Sequence, residues 1–158
     1  TKAHNTVILD DRDSSEVWSG FRVARRARPI KPAFSQDEAL AASCAHDGYR
    51  RLRGRPMHKR RWVMAERSLT VADEISGARY SAEAWFHLHP SIDIDPGSSA
   101  SEGVGRLPNG RVFSWKIEEG DGRVERSTWH PRFGATLENS CLVLRLQDGR
   151  GRVRFSWR

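Results

Sequence analysis

Cysteine is nearly absent: Cys44 and Cys141 are the only two in 158 residues. Two thiols so far apart provide neither a disulfide framework nor metal-ligand spacing, and burial as free thiols is the expectation. Lysine is scarce too, since only Lys2, Lys31, Lys59 and Lys116 of the 27 basic residues are lysine. No apolar run approaches the roughly 18 residues of a membrane-spanning helix, so no membrane span is expected. The signatures of stand-alone enzymes are missing: there is no helical His-Glu-X-X-His pair, no glycine-rich phosphate loop and no Gly-X-Ser-X-Gly elbow. The chain opens Thr1-Lys2-Ala3-His4 without a charged-then-apolar leader, and reads as a stretch of a longer polypeptide.

What is abundant is arginine. The 27 basic residues against 20 acidic ones give a net charge of +7. Guanidinium forks match carboxylate, sulfate and phosphate in bidentate fashion, so an acidic polymer is the natural partner class. For most single arginines, a solvated strand face or an ion pair with one of the 20 acids is the expected role, so function is sought in clusters. Nucleic acid is disfavoured because the aromatics form no recognisable stacking motif.

Short β-branched or aromatic runs recur along the chain, at Asn5 to Leu9, His58 to Ala65, Ser68 to Asp73 and Tyr80 to His89. They continue at Arg111 to Glu118, Arg123 to Trp129, Cys141 to Gln147 and Arg152 to Trp157. Between them stand turn signals such as Gly120-Asp121-Gly122 and Asp148-Gly149. The best helical stretch, Gln36 to Ala42, is only about two turns long and runs into Ala42-Ser43-Cys44-Ala45, which reads equally well as a buried strand. The expected fold is all-β with little helix: one domain spanning 1–158, an antiparallel β-sandwich of two stacked sheets, with a barrel as the alternative. Pro96 to Gly103 is expected as an exposed loop. The segment Arg22 to Pro32, with prolines at 29 and 32, is expected on an edge or loop carrying the exposed arginines 22, 25, 26 and 28.

Among the histidines, His87 and His89 sit two apart on an expected strand, a spacing that puts both on one face, where a metal pair or an interface pair would lie. His46-Asp47-Gly48-Tyr49 and His4-Asn5-Thr6-Val7 each place an imidazole beside polar partners at the end of an apolar stretch.

Three segments together carry a resemblance. They are Thr1 to Val7 leading through Val17-Trp18-Ser19-Gly20-Phe21-Arg22 to Ala27; His46 to Leu52 followed by His58-Lys59-Arg60-Arg61 and a strand ending at Asp73; and Phe86-His87-Leu88-His89-Pro90 with Trp129-His130-Pro131-Arg132-Phe133-Gly134. In that order and spacing they resemble the C-terminal β-sandwich domain of the heparinase II/III family of bacterial polysaccharide lyases.

The resemblance implies a parent enzyme that cleaves acidic, uronate-containing polysaccharide by β-elimination. In that chemistry a base takes the C5 proton, a neutralising group damps the carboxylate, and an acid protonates the leaving oxygen. The family's tyrosine and asparagine come from an N-terminal α/α toroid of the same polypeptide, which is the implied protein partner. The β domain gives one histidine, which matches His4, so His4 is the implied catalytic residue, with Asn5, Arg25 and Arg26 assigned to substrate. Because two of three roles lie elsewhere, the isolated domain is expected to be inactive. A non-catalytic binding module for acidic glycans is the alternative. Some members hold zinc through a set that includes the histidine matching His46. Here Thr6 stands where another ligand would be, so no cofactor is assigned, and His46 remains a metal candidate beside its reading as a structural histidine oriented by Asp47.

Overall fold

The computed structural model describes residues 1–18, 22–37, 39–77, 79–95 and 97–158. Ser19, Gly20, Phe21, Glu38 and Pro96, which figure in the sequence expectations, lie outside the described residues. The strands are β1 (Val7–Leu9), β2 (Glu16–Val17), β3 (Val23–Ala24), β4 (Pro29–Ser35), β5 (Leu40–His46), β6 (Met57–Ala65), β7 (Ser68–Ser76), β8 (Ala82–His87), β9 (Asp93–Ile94), β10 (Glu102–Arg106), β11 (Val112–Glu119), β12 (Asp121–Trp129), β13 (Leu137–Arg145) and β14 (Arg150–Trp157). No helix occurs among the described residues.

One antiparallel sheet has eight strands in the order β4-β5-β6-β7-β14-β11-β10-β9, and another has four in the order β1-β8-β13-β12. β2 and β3 pair as a separate two-stranded antiparallel sheet. The core lies between the two large sheets. Val7, Leu9, Phe86, Leu142 and Leu144 come from the four-stranded sheet and Val71, Trp115, Ile117 and Val153 from the eight-stranded one. Burying each such side chain contributes roughly 1.5–3 kcal/mol. Each sheet keeps two edges, so the arrangement is the expected sandwich and not the barrel.

Two local features show why the chain folds this way. Asp148 and Gly149 both have positive φ, 47° and 76°, and Gln147 and Arg150 exchange both backbone hydrogen bonds at 2.8 Å across them. That is the mirror-image turn the dipeptide favours, and it joins β13 to β14 across the sandwich. At Gly103 a Cβ would stand 2.1 Å from the Trp115 ring, so the missing side chain is what lets that indole lie on β10.

The helical alternative for Gln36 to Ala42 is not adopted. Leu40 and Ala42 face Met64 and Trp62 in register, and cross-strand pairing outweighs two turns of modest helix propensity. The proline-containing segment 29–35 forms β4, the edge of the large sheet, with a register shift between Ile30 and Ala33 and Lys31 at a φ of 48°. The Gly/Ser stretch ends as a strand, because Glu102 and Gly103 already pair with β11.

Some of the outward-facing arginines meet acids on the same or another strand. Arg154 reaches Glu118 at 2.8 Å, and Arg123 holds Glu83 at 2.7 and 3.1 Å and Glu125 at 2.9 Å. Inward along β6 the alternation changes character: Lys59 and Arg61 are exposed, whereas His58 and Arg60 are buried on the core side with Trp62.

Candidate active site

His4 lies three residues ahead of β1 in a tight bend. Its N–H donates to the Thr1 carbonyl at 3.0 Å and its carbonyl accepts the Thr6 N–H at 2.8 Å. The residue is exposed, so the imidazole is open to solvent. The bend is tied down by the residue that follows. The Asn5 side-chain oxygen accepts the His87 N–H at 2.8 Å, at the end of β8, and the Asn5 carbonyl accepts Arg60 Nη1 at 2.6 Å. The carbonyl of Thr6 then takes the Trp85 N–H at 2.9 Å, which starts the β1–β8 ladder. Asn5, assigned to substrate from the sequence, therefore also anchors the bend through its amide oxygen.

Behind the bend is a charged network. Asp73, on β7, is 3% exposed and sits in register with Arg60, on β6, which is 5% exposed. The guanidinium grips the carboxylate through Nε at 2.7 Å and Nη2 at 2.9 Å, and lies 5.1 Å over the Phe86 ring. His58 Nε2 is 2.6 Å from the same carboxylate, His58 Nδ1 is 3.0 Å from His46 Nε2, and the Gly48 N–H donates to His46 Nδ1 at 3.3 Å. These partners set the tautomers. Gly48 donates to His46, His46 donates through Nε2–H to His58, and His58 donates through Nε2–H to Asp73. Burial raises the Asp73 carboxyl, but its bonds to His58 and the charge and bonds of Arg60 outweigh that and hold it below its ordinary value.

His46 is thus oriented by Gly48 and His58 and not by Asp47, whose carboxylate accepts the Arg28 N–H at 2.8 Å. The sequence order His-Asp suggested the pairing, but strand register turns the two neighbours to opposite sides. Burial is the main cause, with the neighbouring His58 and Arg60 adding to it and Asp47 opposing it; together they push the His46 pKa down to about 4.

This donor set does not fit a zinc ion. Both nitrogens of His46 and of His58 are engaged along the chain, both Asp73 oxygens are taken, and a guanidinium already balances the carboxylate. Cys44, on the same face of β5, directs its thiol at the carbonyls of Ala45 and Ile30, at 3.2 and 3.8 Å. His87 and His89 do not act as a pair either: the first hydrogen-bonds the Lys2 carbonyl at 2.6 Å, the second Ser91 Oγ at 2.7 Å.

Both tyrosines are committed to backbone. Tyr49 donates to the Val7 carbonyl at 2.7 Å, with burial raising its pKa, and Tyr80 donates to the Arg53 carbonyl at 2.6 Å.

Arg25 and Arg26 line an open groove of about 570 Å³ with Arg28, Arg50, Arg51 and Arg55. Arg25 is 3.5 Å from Glu16, and Arg51 is held by the carbonyls of Asp13, Ser14 and Gly48. Ser14 in turn donates its N–H to Thr1 Oγ1 at 2.8 Å, which joins the groove wall to the segment carrying His4. The predicted exposed basic edge is therefore present, and Arg50 and Arg55 extend it. Their signal in the sequence was their spacing within Arg50-Arg51-Leu52-Arg53-Gly54-Arg55.

The His46 shift has a measurable consequence. An imidazole that stays neutral in the fold but protonates near 6.5 when unfolded costs the native state stability as the pH falls from about 6.5 towards 4. Asp73, lowered in the fold, contributes its stability above about 3.8 and loses it at still lower pH. The melting temperature of the chain should thus decline in two stages. His46→Gln should flatten the first and keep the second; an unchanged first stage in that variant would assign the decline to other groups.

The family model described as "Heparinase II/III-like, C-terminal" matches residues 1–158. No curated protein matches. Among solved structures, the chain resembles heparan sulfate lyase HepC from Pedobacter heparinus, with a TM-score of 0.71 at 13% identity, covering 99% of this chain and 24% of that one. It also resembles a heparinase III, the BT4657 gene product, with a TM-score of 0.68 at 14% identity, covering 96% of this chain and 23% of that one. A further heparinase III gives 0.69 at 12% identity. The chain spans about a quarter of the length of these proteins.

Proposed function

This chain belongs to the heparinase II/III-like C-terminal family, and from that membership we propose that it is the β-sandwich portion of a polysaccharide lyase acting on uronic-acid-containing polymer. The observation that carries the reading is His4, an exposed imidazole on a bend that is otherwise anchored on every side. A group that exchanges a proton with a sugar must be reachable, and its backbone must hold still while it does so. In β-elimination His4 would serve as the proton-transfer or carboxylate-contacting group of this half of the cleft. Removal of the C5 proton and protonation of the leaving oxygen are completed by an α/α toroid in the same polypeptide. With both tyrosine hydroxyls bound to backbone carbonyls, the chain by itself is catalytically silent in this reading.

The arginine groove supports an acidic substrate, because Arg26, Arg28, Arg50 and Arg55 border it and guanidinium forks suit carboxylate and sulfate. It equally supports a second reading, a binding module without chemistry. Appearance of unsaturated-uronate absorbance when the full-length parent meets heparan sulfate or other uronate polymers separates the two. Binding with no absorbance on any such polymer leaves the module.

Within the first reading, Arg25→Glu with Arg26→Glu in the parent should raise the Michaelis constant by about tenfold or more, since two favourable contacts become repulsive. A lowered melting temperature with unchanged kinetics would instead assign these arginines to docking the helical domain.

A further inference from the structure

The network around Asp73 has no place in proton transfer to a substrate, because His58, Arg60 and Asp73 are buried and saturated with one another. One of its bonds leaves the cluster. Arg60 Nη1 donates to the carbonyl of Asn5 at 2.6 Å, across 55 residues of sequence, and Asn5 directly follows His4. We propose that Arg60, held by Asp73 and backed by His58 and His46, is a positioning residue that fixes the His4 bend, doing with an ion pair what a metal cross-link would otherwise do. The proposal rests on the catalytic reading of His4 for its consequence, though not for its geometry.

The physical argument concerns where stiffness comes from. β1 is only three residues long and sits at the edge of the four-stranded sheet, so its own ladder gives the preceding bend little rigidity. The two long strands β6 and β7 pair over nine residues and lie in the interior of the larger sheet. Arg60 grows from that rigid region, and its direction is set before it reaches Asn5: two bonds to Asp73 fix the guanidinium plane and the Phe86 ring covers one side. With Nε and Nη2 committed to the carboxylate, the plane of the guanidinium is fixed and Nη1 is left pointing away from Asp73, towards Asn5. His58 shares Asp73 and is itself braced by His46, so the carboxylate cannot swing to release the guanidinium. On the other side of the bend, Asn5 Oδ1 caps the His87 N–H. Asn5 is therefore clamped to both sheets, and the imidazole one residue earlier inherits that fixed frame.

Removing Arg60 alone would leave Asp73 buried without its counter-charge and threaten folding, so the informative variant is Arg60→Met with Asp73→Asn. It deletes the charge pair together and leaves an amide oxygen for His58. In the full-length parent this double variant should fold, keep a Michaelis constant within about twofold, and lose about tenfold or more in turnover. Hydrogen exchange at the His4, Thr6 and His87 amides should accelerate while β13 and β14 stay protected. Arg60→Lys, which keeps the charge but not the fork, should fall between. Unchanged exchange at those three amides in the folded double variant overturns the proposal whatever the activity. Accelerated exchange with undiminished turnover overturns the positioning role. A stoichiometric metal ion in the purified parent, found by elemental analysis and lost together with protection of these amides on chelation, overturns the metal-free clamp. A silent His4→Ala variant, by contrast, removes the proposed catalytic role of His4 without touching the exchange result.

Discussion

His4→Ala in the full-length parent is expected to reduce turnover about 10²-fold or more, the scale on which a single general acid–base group acts. The fold should be indifferent to the change. The side chain is exposed, and the two bonds of His4 that shape the bend are made by its backbone N–H and carbonyl. The measurement is steady-state formation of unsaturated product alongside the melting temperature of the purified variant. Near-normal turnover on a confirmed substrate would falsify a chemical role for His4 and leave this sandwich as scaffold. A drop in melting temperature matching the drop in activity would point the same way, since an exposed catalytic imidazole should be separable from stability.

Asp73→Ala should produce the largest loss of stability that one substitution outside the hydrophobic core can cause here. The carboxylate accepts three side-chain hydrogen bonds at 2.6 to 2.9 Å. Without it the 5% exposed guanidinium of Arg60 stays behind with no counter-charge. Breaking a buried pair on one side costs about 3–5 kcal/mol. For a chain of this size that is a fall in melting temperature of about 10 °C. Replacing both partners by apolar residues of similar volume should cost far less, because no charge is then stranded. Urea unfolding of the two variants tests the contrast. A loss under about 1 kcal/mol for Asp73→Ala would mean that water reaches Arg60 and that the pair is not sealed.

The sequence disclosed the sandwich because its long strands advertise themselves: β6, β7, β11, β12 and β14 each lie within about three residues of the expected runs, and Asp148-Gly149 marks the turn that crosses from one sheet to the other. What it concealed were the elements whose reason is tertiary. β4 contains two prolines and an irregular register, and β9 is two residues long, so neither carries a period to read. β5 is a run of small residues that the sequence left open between helix and strand, and pairing with β4 and β6 decides it. In the candidate site, His4 and the arginines at 25 and 26 were legible as motif and cluster. His58, Arg60 and Asp73 were not read as a unit. The cue lay in parity: 58, 60 and 62 fall on one face of β6, and a tryptophan on that face means the other two point inward as well. Charge normally argues for the outside, and only the opposing carboxylate, brought into register from β7, reverses that argument.

The edge strand β4 has a consequence for how copies of the chain coexist. Residues 29 and 32 have no N–H to offer, the register slips between Ile30 and Ala33, and Lys31 turns its backbone into the left-handed region. A strand arriving from another molecule would meet gaps in the donor row, a kinked path and a positive charge, so it could not zip along this margin. The opposite margin, β9, offers two residues and hence almost no template. An eight-stranded sheet is wide enough to invite runaway polymerisation, and this one is stoppered at both ends.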